Sequence, residues 1–380
     1  MPVQWNVPWP QKGKPAQGYP VLEGVAHAEL FHATPDDGVY CHHPHVLHHE
    51  GTFFAAWSNH RWDEDGPGQR VLFAVSKDGR RWSRFRECFP PVGEVKRWGE
   101  TGRVLTANGL VVVEGTVYAI AEVHEFFSRS DGSLQARLEE RAGRKTRYGR
   151  LGWGCLARAL KADGSLGPVF WLVDDPPEPH EGAPAFPSSS DPRFADAARE
   201  ISRIKAQPLR MSAWDFRTHT NWTTAADGHV LCEPTVFRRP DGVLVKLGRD
   251  KQGSRRIYAA LSRDEGKTWA TAVRTNIPDS PSKAVSGTLP DGRIYLVGNQ
   301  VIGGRRDPLV IALSRDGVSF DWAGAIRTGA PKIRHPGRAK GEGFQYPSAV
   351  VAGDALWVIY SIGKEDVAMS RIPLASLNGE

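Results

Sequence analysis

A chain of 380 residues with 40% hydrophobic side chains can bury a large core, and it is too long for an ordinary single domain unless the architecture is modular. Its net charge of +6 comes from basic and acidic residues interspersed throughout, with no basic tail or helix, which argues against nucleic acid and fits an anionic substrate. Gly (40) and Pro (28) recur about every ten residues, a rhythm of short strands and turns that excludes a fold of long helices.

The opening segment, MPVQWNVPWPQKGKP, lacks a basic stretch followed by an apolar one, so no signal peptide is expected and a cytoplasmic protein is. No apolar run is long enough to span a bilayer, so no membrane partner is expected either. Cys41, Cys88, Cys155 and Cys232 are scattered, with no paired spacing that signals a zinc site or a disulfide framework.

The first predicted element is a strand around Ala26–Phe31. A repeating unit follows: a polar entry strand at His42-His43-Pro44-His45-Val46, the strand FFAAWSNH ending at His60, then VLFAV and the turn Ser76-Lys-Asp-Gly-Arg-Arg-Trp82. A degenerate unit starts at Asn108-Gly109-Leu110 and runs through VYAIAEVHEF to GCLARALKADG. Between about 172 and 228 the pattern blurs into a loop and a short surface helix, an irregular insertion with room for one further unit. The next unit begins at Glu233-Pro234 and ends in IYAAL and Ser262-Arg-Asp-Glu-Gly-Lys-Thr-Trp269. Another runs from Ser282-Lys283 to LVIAL and Ser314-Arg-Asp-Gly-Val-Ser-Phe320, and the last starts at Tyr346-Pro347.

The three S-x-D turns are Asp boxes. Asp and Gly supply the turn chemistry, Ser bonds local backbone, and the aromatic plugs the space between sheets. Each unit is an antiparallel meander, which predicts an all-β propeller of four-stranded blades over residues 1–380. Six blades are counted, and the strand at 26–31 is expected to join the last one and remove two sheet edges.

In a propeller the inner strands line the axis. The repeat places His42/His43, Asn108, Glu233, Lys283 and Tyr346 at the start of inner strands, and His60, His124, Arg249, Asn299 and Lys364 at the end of second strands. These are expected to converge on one pocket, against the alternative of a merely hydrated channel. Alternation puts His43 and His45 on one side of the strand and His42 on the other. His48 and His49 are expected at a solvent-exposed turn. Imidazoles facing a cavity suit acid/base work near neutrality. Lys283, Arg249 and Arg306 are candidates to bind a carboxylate, with Gln345 beside them, and Tyr346 to exchange a proton.

Beyond the Asp boxes, which resemble the sialidase superfamily, four stretches carry a more specific likeness: HHPHVLHHEGTFFAAWSNHRWDEDGPGQRV, NIPDSPSKAVSGTLPDGRIYLVGN, RRDPLVIALSRDGVSFD and GEGFQYPSAVVAGDALWVIYSIGKEDV. They resemble the propeller enzymes acting on L-rhamnose-α-1,4-D-glucuronate, the lyases and their α-L-rhamnosidase relatives. That resemblance implies seven blades, no required cofactor, and in some relatives a calcium ion near the axis. It implies β-elimination on an anionic oligosaccharide: His43 and His60 as base and acid, Tyr346 as auxiliary acid, and Arg249 or Arg306 on the carboxylate. Lys283 and Asn299 would orient the sugar, within a wider binding set that includes His42, His45, Asn108, Glu233, Arg306 and Gln345. Two rivals stay open. One is an exo-glycosidase, either an α-L-rhamnosidase or a sialidase-like hydrolase. A sialidase is expected to show an early Arg-Ile-Pro strand, a three-arginine clamp and a Tyr/Glu pair, and the only Arg-Ile-Pro here lies at 371–373, in the last strand, which argues for imidazole chemistry instead. The other is a non-catalytic glycan-binding propeller.

Overall fold

The structure, a computed structural model, describes residues 2–66, 68–89, 102–128, 148–176, 184–210 and 223–377. Two compact units divide the chain, one of residues 1–29, 205–333 and 341–380, the other of 30–204 and 334–340. No helix among the described residues is long and apolar enough to cross a membrane.

Strands β1 (Gln4–Trp5) and β2 (Ala26–Phe31) open the chain. In the unit of residues 30–204, β3 (Tyr40–His49), β4 (Thr52–His60), β5 (Arg70–Ser76) and β6 (Arg86–Phe89) form one antiparallel meander. β7 (Gly102–Val113), β8 (Thr116–Ser128), β9 (Tyr148–Leu160) and β10 (Leu166–Trp171) form the second. Alternation sends Phe54, Ala56, Val71 and Phe73 into a core shared with Leu105, Ala119, Val123 and Trp171. Helix α1 (Ala195–Lys205) buries Ala198 and Ile201 in a cluster with Val111, Ile120, Ala157 and Phe170, and the Phe170 ring stacks on Phe194 at 4.6 Å.

The other unit has three larger sheets. β11 (Thr223–Thr224), β12 (Val230–Arg238), β13 (Leu244–Asp250), β14 (Arg256–Ser262) and β15 (Val273–Pro278) make a five-stranded sheet. β16 (Val285–Thr288), β17 (Ile294–Gly298) and β18 (Leu309–Ser314) follow; β19 (Ser319–Phe320) pairs in parallel with β1, and β20 (Trp322–Arg327) completes the β16–β17–β18 sheet. β21 (Phe344–Ala352), β22 (Ala355–Ile362) and β23 (Asp366–Pro373) take β2 as their outer strand, as the sequence predicts.

Five blade-type sheets are thus present among the described residues, and the count of six and the expectation of seven are corrected to that number. The segment 172–228 accounts for the difference. Its described residues spend their apolar side chains on α1 and give only the two-residue β11, which joins an existing sheet instead of starting one.

All three Asp boxes fold as their residues predict. Ser76, Ser262 and Ser314 Oγ accept from the N–H of Gly79, Gly266 and Gly317 at 2.9, 2.9 and 2.8 Å. Asp78, Asp264 and Asp316 Oδ1 accept from backbone N–H groups two to four residues on. Phe320 is fully buried, whereas Trp82 and Trp269 are only half-buried.

Three of the inner strands share a second device. Ladder register breaks between His42 and His45 in β3, Cys232 and Thr235 in β12, and Gln345 and Ser348 in β21. Each break holds an X-Pro pair, because proline offers no N–H to the ladder. The X residues His43, Glu233 and Tyr346 sit at φ of 53°, 51° and 55°. A non-glycine residue held there costs about 1–3 kcal/mol, and such strain concentrates at functional sites.

Candidate functional site

In the unit of residues 205–333 and 341–380, the β12 and β21 bulges bring Glu233 and Tyr346 together. The Tyr346 hydroxyl donates to Glu233 Oε1 at 2.5 Å, while Arg249 Nη1 donates to Glu233 Oε2 at 2.8 Å and to the Tyr346 oxygen at 3.0 Å. Glu233 and Tyr346 are buried and Arg249 is partly exposed. Burial pushes the Glu233 carboxyl up, but the Arg249 charge and the hydrogen bonds from Tyr346 and Arg249 outweigh it and hold the group below its ordinary range. Burial also works against the Arg249 charge, and Glu233 more than offsets that, so the guanidinium is raised. The carboxylate is therefore ionised and aimed at a phenolic proton. The guanidinium sits where negative charge appears once that proton leaves.

Two further cations border this triangle. Arg306 lies with Cζ 5.5 Å from the Tyr346 ring centroid, and its Nη1 donates to Gln345 Oε1 at 2.6 Å and its Nη2 to Pro281 O at 2.8 Å. Lys283 Nζ donates to Pro347 O at 3.3 Å, and burial draws its ammonium down to about 8 with the Glu233 charge resisting. Asn299 Nδ2 donates to the carbonyls of Arg306, Pro308 and Phe344 at 3.0 to 3.2 Å, while its Oδ1 has no hydrogen-bond partner among the described residues.

Asp279 was not among the residues singled out from sequence. It is buried, its Oδ2 has no hydrogen-bond partner among the described residues, and burial lifts its carboxyl to about 7 against the pull of Arg249 and Arg306. Its only sequence signal is its place after Pro278 in the NIPDS stretch that precedes an inner strand.

In the other unit, His42 and His43 are buried with ring centroids 4.5 Å apart. His43 Nδ1 meets Ser58 Oγ at 3.1 Å and its Nε2 stands 3.7 Å from Glu64 Oε1. His60 anchors its own loop: Nδ1 lies 2.7 Å from Asp63 O, and a Cβ on Gly66 would collide with the His60 ring. His45 Nε2 meets Ala107 O at 3.3 Å, tying β3 to β7, and Asn108 Nδ2 faces Cys155 Sγ at 3.6 Å. His124 is buried 3.5 Å from Asp65 Oδ1. The acidic loop at 63–65 turns its carboxylates onto His43, His124 and, through Asp63 Oδ2, the N–H of Arg338 at 2.6 Å.

Calcium takes oxygen ligands. Among the described residues of this unit, one grouping of metal-capable side chains, His42, His43 and Glu64, carries two imidazoles and one carboxylate and does not fit that ion.

A family model described as an N-terminal beta propeller matches residues 25–223, more than half of the chain, and one described as a BNR repeat-like domain matches residues 180–359. A solved structure named Sialidase matches at 23% identity and a TM-score of 0.72, covering 98% of this chain and 35% of its own. The chain thus spans about a third of that protein's length. The intramolecular trans-sialidase from Ruminococcus gnavus, in complex with oseltamivir carboxylate, matches at 13% identity and 0.55, covering 93% and 98%. A mutant of Trypanosoma rangeli sialidase displaying trans-sialidase activity matches at 14% and 0.54, covering 95% and 60%. At these identities the likeness is one of fold. No curated protein matches. Closeness to the rhamnose–glucuronate enzymes rests on the sequence stretches alone.

Proposed function

This chain belongs to the family of N-terminal β-propellers whose model spans residues 25–223, and on that premise we propose that it is a carbohydrate-active enzyme, a glycoside hydrolase of anionic sugars that uses Tyr346 as nucleophile. The observation that carries this reading is the triangle of Glu233, Tyr346 and Arg249. The repeat-type and sialidase-named relatives support it.

Glu233 takes the phenolic proton as Tyr346 Oη attacks the anomeric carbon. The glycosidic C–O bond breaks, and the leaving oxygen takes a proton from solvent to depart as an alcohol. Water then attacks the glycosyl-tyrosine and gives up a proton to solvent as the C–O bond to Tyr346 breaks, while the Glu233 carboxyl returns the phenolic proton to Tyr346 and is again a carboxylate. Arg249, Arg306 and Lys283 supply positive charge for a substrate carboxylate. A neutral phenol as attacking group avoids the Coulombic repulsion that a carboxylate nucleophile meets when the substrate's own acid group lies beside the reacting carbon. That favours sugars whose carboxylate is borne on the anomeric carbon.

The test is product mass from a panel of sugar-acid glycosides that includes rhamnosyl-glucuronate. Hydrolysis adds one water across the cleaved bond. A glycosyl adduct on the Tyr346 peptide, trapped with a fluorinated sugar acid that slows the second step, identifies the nucleophile. The alternative of β-elimination through His43 and His60, which draws on the rhamnose–glucuronate resemblance, gives a product one water lighter with ultraviolet absorbance, and its appearance would overturn the hydrolytic reading. Binding without turnover of any member would leave a glycan-binding propeller.

A further inference from the structure

Apart from the Tyr346 triangle, a group of ligand-type side chains lies in the unit of residues 30–204. We propose that His42, His43 and Glu64 form a binding site for a divalent transition-metal ion of the zinc class.

Plain strand alternation would place consecutive residues on opposite faces. The β-bulge at His43-Pro44 breaks that rule, since register is lost between His42 and His45 and His43 takes a left-handed φ of 53°. Both imidazoles are thereby turned to one place. One ligand atom from each of His42, His43 and Glu64 lies within 4.8 Å of the others. Two ligands at about 2.0–2.1 Å from a tetrahedral ion stand roughly 3.3 Å apart, and the His43 Nε2 to Glu64 Oε1 separation of 3.7 Å is close to that.

The surroundings are those of a metal site. A ligating histidine has its second ring nitrogen fixed by an outer partner, and His43 Nδ1 meets Ser58 Oγ at 3.1 Å, an oxygen itself held by the Ala107 N–H at 2.9 Å. Glu64 is held in turn by the Tyr40 hydroxyl, which donates to Oε1 at 3.0 Å. The Glu64 loop is pinned through His60 Nδ1 to Asp63 O and through Asp63 Oδ2 to the N–H of Arg338 and Ala339. Two buried imidazoles and one carboxylate suit zinc, copper or nickel, and three protein ligands leave a fourth position for water or a substrate oxygen.

The experiment uses the full chain without an affinity tag, stripped with chelator and titrated with Co²⁺ and then Zn²⁺. One equivalent of cobalt should give the visible absorption of a four-coordinate site, which zinc displaces, and affinity should fall as pH drops through the imidazole range near 6.5. Glu64→Gln and His43→Asn should each weaken binding at least about tenfold. Asn tolerates the left-handed backbone at 43, and Glu64 is on a loop, so circular dichroism should show both variants folded. Ser58→Ala, which removes only the outer contact, should weaken binding by roughly tenfold. A chain that takes up no cobalt at one equivalent overturns the proposal. So does cobalt held equally tightly by Glu64→Gln and His43→Asn, which places the ion on other histidines.

Discussion

The hydroxyl of Tyr346 lies 2.5 Å from Glu233 Oε1, although the two residues are 113 positions apart in the chain. Each sits immediately before a proline in the bulge of its own inner strand, and Arg249 bridges them. Tyr346→Phe keeps the ring and removes the attacking atom, so turnover should fall to background while the protein keeps its melting temperature within a few degrees. Glu233→Gln should lower kcat by about 10²–10⁴-fold, the range for loss of a positioned proton acceptor. Steady-state kinetics on a sugar-acid glycoside checks both, and a Tyr346→Phe enzyme of unchanged kcat would remove Tyr346 from the chemistry.

Lys283 should set the alkaline limb of substrate binding. Its ammonium titrates near 8, so the charge facing an anionic ligand is present below that pH and is lost above it. KM should therefore rise with pH above about 8. Lys283→Met should raise KM and flatten that rise, and Lys283→Arg should restore affinity and move the limb upward. KM measured from pH 6 to 10 for the three proteins is the check.

Asp279 should leave a mark on stability as a function of pH. Its folded pKa of about 7 lies above the unfolded value near 3.9, so between the two the native state holds more protons. The contribution is fully present below the unfolded value and is lost as pH rises through 7, at a slope of up to about 1.4 kcal/mol per pH unit. Asp279→Asn removes this slope, and the variant should gain on the parent protein from pH 5 to about pH 7 and then hold that gain to pH 8 in urea denaturation. Parallel curves would show that the carboxyl ionises as freely in the native state as in the unfolded one.

Gly343 should tolerate no side chain. It sits at φ of 133°, and a Cβ there would lie 2.6 Å from Arg306 O, across the bridge that sets Arg306 beside Gln345. Gly343→Ala should cost about 1–3 kcal/mol and should raise KM for the anionic substrate. A variant as stable as the parent protein would show that the bridge shifts freely.

What could be read from sequence tracks what is local. Ser76, Asp78 and Gly79 bond one another within three positions, so the turn is written in a single stretch of chain. The same holds for the polar residue at the start of each inner strand, where register in the repeat alone places His42/His43, Glu233 and Tyr346. The pairing of Glu233 with Tyr346 depends on two sheets and has no local signature. Nor has the burial of Asp279, whose environment is made by Arg249 from β13 and Arg306 from the loop before β18. The segment 172–228 misled the blade count because a helix and a two-residue strand stand where a repeat was counted.

The X-Pro bulges have a consequence for how new activities arise on this scaffold. Proline already interrupts the ladder at 44, 234 and 347, so the preceding residue lies outside the regular ladder and its backbone angle is imposed by neighbours. An imidazole, a carboxylate and a phenol occupy three equivalent stations on one backbone plan. Exchanging one for another alters reactivity without redrawing the strands, so descendants of one ancestral sheet can diverge in chemistry by single codons.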